Sequence, residues 1–564
     1  IRFTQEIAGL QELGMMGRGE NSVVRAFVEH TVDHELSGNI IDLCPVGALN
    51  SKPFRFSARA WEMIAHPLVS PHDGVGTNLF GHVLRGKLMR VVPRDNEAIN
   101  ETWIADRDRF SYEGVYSADR IAAPLIREGA GWTQVSWESA LAVAVDGLRQ
   151  QAGNLGTLGS ASATVEELYL LNRLTRGLGS ANIDHRLRHG DFSDQAADAL
   201  YPNLGMRIAD VDQLNGLLVI GAHLRREVPM LAHRMRKAAL AGAAVAFLNP
   251  AKFEHLFNVA ACLQSAPAAQ VADLAAVLAA VAATTGGAIP AHLEVVTRGA
   301  QVTDAHRAVA AALLTGTQRA VWLGALALRH PRYADLRALA GAIAQLAGAS
   351  LAELAEGGNA AGAYLAGCVP HRDAGGKVLP AAGKTAAQML QSPLRAYILF
   401  GGVEPAVDSL SPESLKVLAA ADLVIAITPY MTEQLRQVAH VVLPIGTFAE
   451  TSGTYVNLEG LWQSFTAAAR GYGESRPGWK VLRVLGTELG LERFEYQSSE
   501  EVRDELRTLC ADGLPPPWVG TRPVSSTVTA ASTVDIPMYQ VDAVVRRAPS
   551  LQRTAEGRSA PAIY

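Results

Sequence analysis

The chain's most specific chemistry sits on one cysteine. Cys44 lies in Asp42-Leu43-Cys44-Pro45-Val46-Gly47-Ala48-Leu49, and a cysteine followed at once by proline is how the last ligand of a bacterial iron–sulfur run ends. A cubane cluster needs four soft ligands, and the other cysteines are far along the chain, at 262, 368 and 510. Three thiolates are missing from the neighbourhood. The other reading of Cys44 is a buried structural thiol, because free cysteine is among the most buried residue types and one cysteine does not define a site.

Weaker chemical signals fail on their own terms. His30 and His34 are four apart, the spacing of a zinc pair on a helix, but Thr31 stands where a zincin needs Glu. A solvated face with Glu29, Asp33 and Glu35 is the expected account of them. Gly383-Lys384-Thr385 resembles the end of a phosphate loop, yet Val378 occupies the position of the required glycine. No G-x-G-x-x-G follows a strand-like run, so nothing supports direct NADH binding by this chain.

The stretches flanking Cys44 carry a resemblance. Arg2-Phe3, Gly38-Asn39-Ile40-Ile41 and Ser51-Lys52-Pro53-Phe54-Arg55-Phe56-Ser57-Ala58-Arg59 resemble the large iron–sulfur subunit (the G subunit) of the proton-pumping NADH:quinone oxidoreductase, respiratory complex I. Ile1 is not a start methionine and no signal-peptide pattern follows it, so the chain is expected to be an N-terminally truncated fragment. The resemblance implies a cysteine trio just upstream of Ile1, with Cys44 as the fourth ligand of a 4Fe-4S cluster. It also implies further Fe-S clusters in the missing N-terminus, and transfer of electrons from NADH, through FMN on a neighbouring subunit, toward quinone. Residues 1–64 are then the C-terminal part of a ferredoxin-type 4Fe-4S domain.

Residues 65–118 resemble the iron–sulfur segment that opens molybdopterin oxidoreductases, where the cysteines are spaced C-x2-C-x3-C-x27-C. Registered on Gly76-Thr77-Asn78 and Asp106-Arg107-Asp108-Arg109-Phe110, those positions fall on Ser70, Asp73, Thr77 and Ala105. The intervals survive and every thiolate is gone. Two hydroxyls, a carboxylate and a methyl cannot replace four thiolates around iron and sulfide, so a lost cluster frame is expected, with the four side chains still converging on one volume.

Residues 119–510 must supply the scaffold. Apolar runs of strand length recur at 217–220, 244–248, 320–323, 396–400, 422–427 and 440–443. Runs without alternation mark strands buried on both faces, hence parallel sheets covered by helices. The expected fold is therefore α/β, a molybdopterin-oxidoreductase-like arrangement of several units with parallel sheets, preceded by a ferredoxin-like iron–sulfur remnant. Glu166-Glu167-Leu168-Tyr169, Phe400-Gly401-Gly402-Val403-Glu404-Pro405 and the block from Glu450 to Gln463 look like that family's signatures. Its active members hold two pterin dinucleotides and molybdenum or tungsten. Here the stretch Arg186-Leu187-Arg188-His189-Gly190-Asp191-Phe192 has no Cys, and the adjacent Ser193 offers an oxygen ligand of the kind some relatives use. No molybdenum or pterin is expected. The alternative is an active molybdopterin-dependent oxidoreductase of formate-dehydrogenase type, and a pure scaffold with no redox role also stays open.

Composition sets the outer bounds. With 49% hydrophobic and 19% charged residues and a formal net charge of −5, the chain has no basic footprint for nucleic acid. Four scattered cysteines make no disulfide framework and point to a reducing compartment. The apolar tract Ala272 to Ala283 falls short of the roughly 20 residues that span a bilayer, so no crossing segment is expected. Residues 511–564 open with Pro515-Pro516-Pro517, a stiff connector, and are expected to end as a bound strap in which Arg546-Arg547 face either an acidic neighbour or water. The resemblance implies partners among the peripheral-arm components of the complex: the NADH/FMN-binding subunit, the 2Fe-2S subunit and the quinone-proximal subunits. It places the protein peripherally on the cytoplasmic face of a bacterial inner membrane.

Overall fold

The computed structural model describes residues 1–26, 31–129, 131–511, 514–515, 518, 520, 522–525 and 530–564. Two mostly parallel sheets dominate. The first has the strand order Gly131–Gln134, Leu125–Glu128, Val441–Pro444, Leu423–Thr428, Ala396–Phe400, Leu155–Gly159, Ile183–Asp184. Its first two strands form an antiparallel hairpin at one edge, and the others run parallel. The second is wholly parallel, in the order Ala261–Gln264, Ala244–Asn249, Gly216–Ile220, Arg319–Leu323, Ser350–Glu353. It is inserted in sequence between Ile183–Asp184 and Ala396–Phe400.

All six apolar runs are strands of these sheets. Gly216–Ile220, Ala396–Phe400, Leu423–Thr428 and Val441–Pro444 are buried at every position, as strands covered by helices on both faces must be. The helix Pro267–Thr285 extends well beyond the expected tract. At 19 residues and a mean hydropathy of 1.6 it is long and apolar enough to cross a membrane by length and composition, yet Val271, Leu274, Val277, Leu278 and Val281 are buried in the core of the five-stranded unit. It is a core helix.

Both sheets reverse strand order at a point that faces the same cleft. In the five-stranded sheet the reversal lies between Gly216–Ile220 and Arg319–Leu323, which run into Gly221 and Gly324. Gly221 takes φ +59°, and a Cβ there would come within 2.5 Å of the Ala327 nitrogen. In the seven-stranded sheet it lies between Ala396–Phe400 and Leu155–Gly159, which run into Gly401 and Ser160. Such switch points are where open α/β sheets place ligands.

The N-terminal part is built differently. A three-stranded antiparallel sheet, Ile64–Val69, Asn78–Leu84 and Lys87–Pro93, precedes the short helix Asp106–Phe110. Ahead of it, the helix Asn39–Leu43 ends at Cys44. His30 lies outside the described residues. His34 corrects the expectation of a solvated helix face: it sits in a turn, buried, with Nδ1 accepting the Leu36 N–H at 3.2 Å. Burial lowers its pKa to about 4, so the ring is neutral.

The C-terminal residues pack as a strap, with Met538, Tyr539, Val545 and Leu551 forming a small buried cluster. Pro516 and Pro517 of the connector lie outside the described residues. The arginine pair faces acids: Arg546 pairs with Asp408 at 2.8 Å, and Arg547 pairs with Asp119 and Glu404, each at 2.7 Å.

Candidate functional site

Cys44 is a half-buried free thiol whose Sγ accepts the Leu49 N–H at 3.3 Å. Gly47 takes φ +67°, folding the loop back toward the sulfur. The Leu49 amide first, then those of Val46, Ala48 and Gly47, lower the thiol pKa by hydrogen bonding. A sulfur surrounded by amide donors suits one corner of a cluster, whose sulfurs are tuned by such bonds. None of the other cysteines joins it: Cys262 lies on the edge strand Ala261–Gln264, Cys368 donates to the Leu168 carbonyl at 3.1 Å, and Cys510 ends the helix Ser499–Leu509. Among the described residues no group of three or more His, Cys, Asp and Glu could hold a metal ion. In the stretch that follows Cys44, Val46, Phe56 and Trp61 are 81%, 95% and 81% exposed.

Ser70, Asp73, Thr77 and Ala105 are all buried. The Ser70 N–H donates to the Thr77 carbonyl at 2.9 Å, closing the loop. Ala105 immediately precedes the helix Asp106–Phe110, and that helix fills the loop. Ser70 Oγ donates to Asp108 at 2.5 Å, and Arg107 pairs with Asp73 at 2.5 Å with both side chains buried. Arg107 also donates to the carbonyl of Glu227, in the five-stranded unit. The donor set is hard oxygen and methyl; Ser70 and Asp73 are committed to other protein groups, and the buried Thr77 hydroxyl has no hydrogen-bond partner. A cluster does not fit here.

The signature residues prove to be structural connectors. Thr164 and Glu167 form a capping box at the start of the helix Val165–Gly177. Glu166 accepts the N–H and hydroxyl of Thr454, at 2.9 and 2.7 Å, holding the hairpin Gly453–Val456 with Trp462–Phe465. Through Gln463, which donates to the Gly76 carbonyl at 3.0 Å, that hairpin clamps the loop between Ser70 and Thr77. Arg120 and Glu450 make a fully buried pair at 2.8 Å.

Both switch points open on one cavity of about 200 Å³, lined among others by Ser160, Arg188, Glu227, Ala325, Gly401 and Gly402. That is below the ~300–1,000 Å³ of ordinary ligand pockets, and two pterin dinucleotides are larger than an ordinary ligand. Its described walls carry eight carboxylates against five guanidiniums, the wrong balance for a cofactor bearing diphosphates. The strap also enters it. Asp535 pairs with Arg226 at 3.0 Å, Arg329 donates to the Val534 carbonyl at 2.8 Å, and Asp542 bonds His72 Nδ1 at 2.8 Å. Ser193 does not line the cavity; it is exposed and bonds Asp191 and Arg522. The residues present do not fit a pterin or its metal.

Sequence reasoning missed Arg107 and Asp108 as occupants of the frame, although both lie in the run used to register it. His72 and the strap carboxylates carry no local signal, because their partners are hundreds of residues away.

The molybdopterin oxidoreductase family matches residues 120–488. Residues 1–50 match the ferredoxin-like domain of NADH-quinone oxidoreductase subunit 3, and residues 69–113 match the NADH-ubiquinone oxidoreductase NDSU1/NuoG-like 4Fe-4S domain. The G subunit of NADH-quinone oxidoreductase from Rickettsia felis is 36% identical over 43% of this chain and 36% of its own length. The mitochondrial NADH dehydrogenase [ubiquinone] iron-sulfur protein 1 of Solanum tuberosum is 29% identical over 90% of this chain and 62% of its own. The chain thus spans between about a third and two thirds of these relatives. Acetylene hydratase from Pelobacter acetylenicus shares the fold, with a TM-score of 0.54 at 15% identity over 76% of this chain and 70% of that one. The chain belongs to the molybdopterin oxidoreductase family.

Proposed function

We propose that the chain acts as the G subunit of a proton-pumping NADH:quinone oxidoreductase, which moves electrons from NADH through FMN and iron–sulfur clusters toward quinone. The observation that carries the reading is similarity along 90% of the chain to an iron–sulfur protein of that enzyme. The amide-lined thiol of Cys44 supports it. In this reading Cys44 is the fourth ligand of a 4Fe-4S cluster, and Cys262, Cys368 and Cys510 are not among the other three. When bound, that cluster supplies one-electron transfer. The four segments 1–64, 65–118, 119–510 and 511–564 serve as ligand-bearing remnant, emptied cluster frame (Ser70, Asp73, Thr77, Ala105), cofactor-free α/β scaffold and strap. The partners are the NADH/FMN-binding, 2Fe-2S and quinone-proximal subunits, on the cytoplasmic face of a bacterial inner membrane. The exposed apolar side chains of Val46, Phe56 and Trp61 suit burial against such a neighbour.

Replacing Cys44 by Ala in the full-length protein is expected to remove one reduced-cluster signal from the paramagnetic-resonance spectrum. An unchanged spectrum sinks the assignment. The runner-up, an active molybdopterin enzyme, is disfavoured by the small, acid-rich, strap-filled cavity. Elemental analysis of the purified protein is expected to find no stoichiometric molybdenum or tungsten, and pterin fluorescence after denaturation is expected to be absent. Either signal at stoichiometric level promotes the runner-up.

A further inference from the structure

Ser70 and Thr77 face each other at the mouth of the loop that joins Ile64–Val69 to Asn78–Leu84. Val69 pairs with Asn78 and Leu68 with Leu79, so the next rung joins Ser70 to Thr77, where the Ser70 N–H donates to the Thr77 carbonyl at 2.9 Å. Residues directly opposite in an antiparallel pair put their side chains on one face, with Cβ atoms ~4.5–5.5 Å apart. On that face the Ser70 hydroxyl bonds Asp108 Oδ1 at 2.5 Å, which brings the Asp108 carboxylate to the same rung. All three residues are sealed from solvent, Ser70 and Thr77 at 0% exposure and Asp108 at 1%.

The charges around this rung pair off with one left over. Arg107 directs its terminal nitrogens to Asp73 and to the carbonyls of Arg226 and Glu227. The His72 ring bridges Asp542 and the Ser111 hydroxyl, each at 2.8 Å. Asp73 Oδ1 accepts the Val75 N–H at 3.0 Å, and the Ser70 hydroxyl accepts the His72 N–H at 3.2 Å. Asp108 Oδ2 and Thr77 Oγ1 have no hydrogen-bond partner, and among the described residues no cationic side chain pairs with Asp108. A carboxylate held away from water needs a compensating positive charge, and an unpartnered buried oxygen marks the place of an ion or an ordered water.

We propose that Asp108, Thr77 and Ser70 hold one monovalent cation, of sodium or potassium size, between the loop and the helix Asp106–Phe110. Carboxylate and hydroxyl oxygens are hard donors, suited to such ions and not to soft metals. The other nearby carboxylate, Asp73, is already neutralised by Arg107, so the charge to be balanced is a single one and a divalent ion is not called for. The ion ties the loop to the helix whose Arg107 reaches the five-stranded unit. None of this depends on the reading of Cys44.

The test is thermal unfolding of the purified full-length protein at one ionic strength, with choline chloride exchanged for sodium or potassium chloride. The parent is expected to melt on the order of 2–4 °C higher with the alkali cation. Asp108→Asn keeps an acceptor for Ser70 and removes the charge, so it is expected to melt alike in both salts, at or above the parent's temperature in choline. Thr77→Val removes one ligand and is expected to shrink the parent's difference, which gives a reading even if Asp108→Asn does not fold. A parent that melts alike in both salts overturns the proposal, as does a difference that survives in both variants. In crystals soaked with a thallium(I) salt, an anomalous-scattering peak is expected between Asp108 and Thr77. No peak there means an ordered water only, and stability that follows pH but not the cation means a proton on Asp108; either result overturns the site.

Discussion

At Asp73 the chain buries an ion pair with Arg107, next to a hydroxyl–carboxylate bond from Ser70 to Asp108. Removing one partner of a buried pair strands the other charge, so Asp73→Ala is expected to cost ~3–5 kcal/mol, whereas Asp73→Leu with Arg107→Met is expected to be far milder. Denaturant melts of the three proteins check this, and equal losses would show that the pair is not the critical contact. At this scale the sequence was legible where spacing was rigid and illegible where partners were remote. Cys44-Pro45 and the 70–73–77–105 intervals are visible in the sequence because they are patterns of spacing. The Asp542 partner of His72 could not, since 470 positions separate the two.

Among elements, Glu166 couples the helix Val165–Gly177 to the hairpin Gly453–Val456 with Trp462–Phe465. Burial raises the Glu166 pKa to about 7, despite the Thr454 hydroxyl and amide bonds that favour its charge. An unfolded glutamate titrates near pH 4.3, so the folded state binds the proton more tightly. The resulting stability is complete below about pH 4 and is lost as pH rises through 7. Glu166→Gln is therefore expected to be the more stable protein at pH 8 by of order 1–3 kcal/mol, with the advantage vanishing toward pH 5. A parallel pH dependence in both proteins would place the titration elsewhere. Strands with continuous apolar runs, such as Ala396–Phe400, were readable from sequence. Leu155–Gly159 was not: its two glycines hide the pattern, and Gly156 is small because a Cβ there would meet Leu394 at 2.8 Å. The charged residues of Pro229–Leu240 gave no hint that Arg234 is buried, bonding the Ile99 carbonyl at 3.1 Å.

Across the whole molecule, the five-stranded sheet interrupts the seven-stranded one between Ile183–Asp184 and Ala396–Phe400. Leu155–Gly159 must therefore wait for Ala396–Phe400, its parallel partner, while every strand of the inserted sheet lies within residues 216–353. As the chain leaves the ribosome, N-terminal to C-terminal at ~5–20 residues per second, the inserted unit can finish while the host sheet is still waiting for three of its seven strands. Pulse-labelled hydrogen exchange during refolding is expected to protect Gly216–Ile220 and Arg319–Leu323 before Leu155–Gly159, and simultaneous protection would mean that the two sheets form as one. The exposed edge of Leu155–Gly159 during that wait is an open template for pairing with another chain, so the yield of this protein should fall when synthesis is slowed between residues 353 and 396.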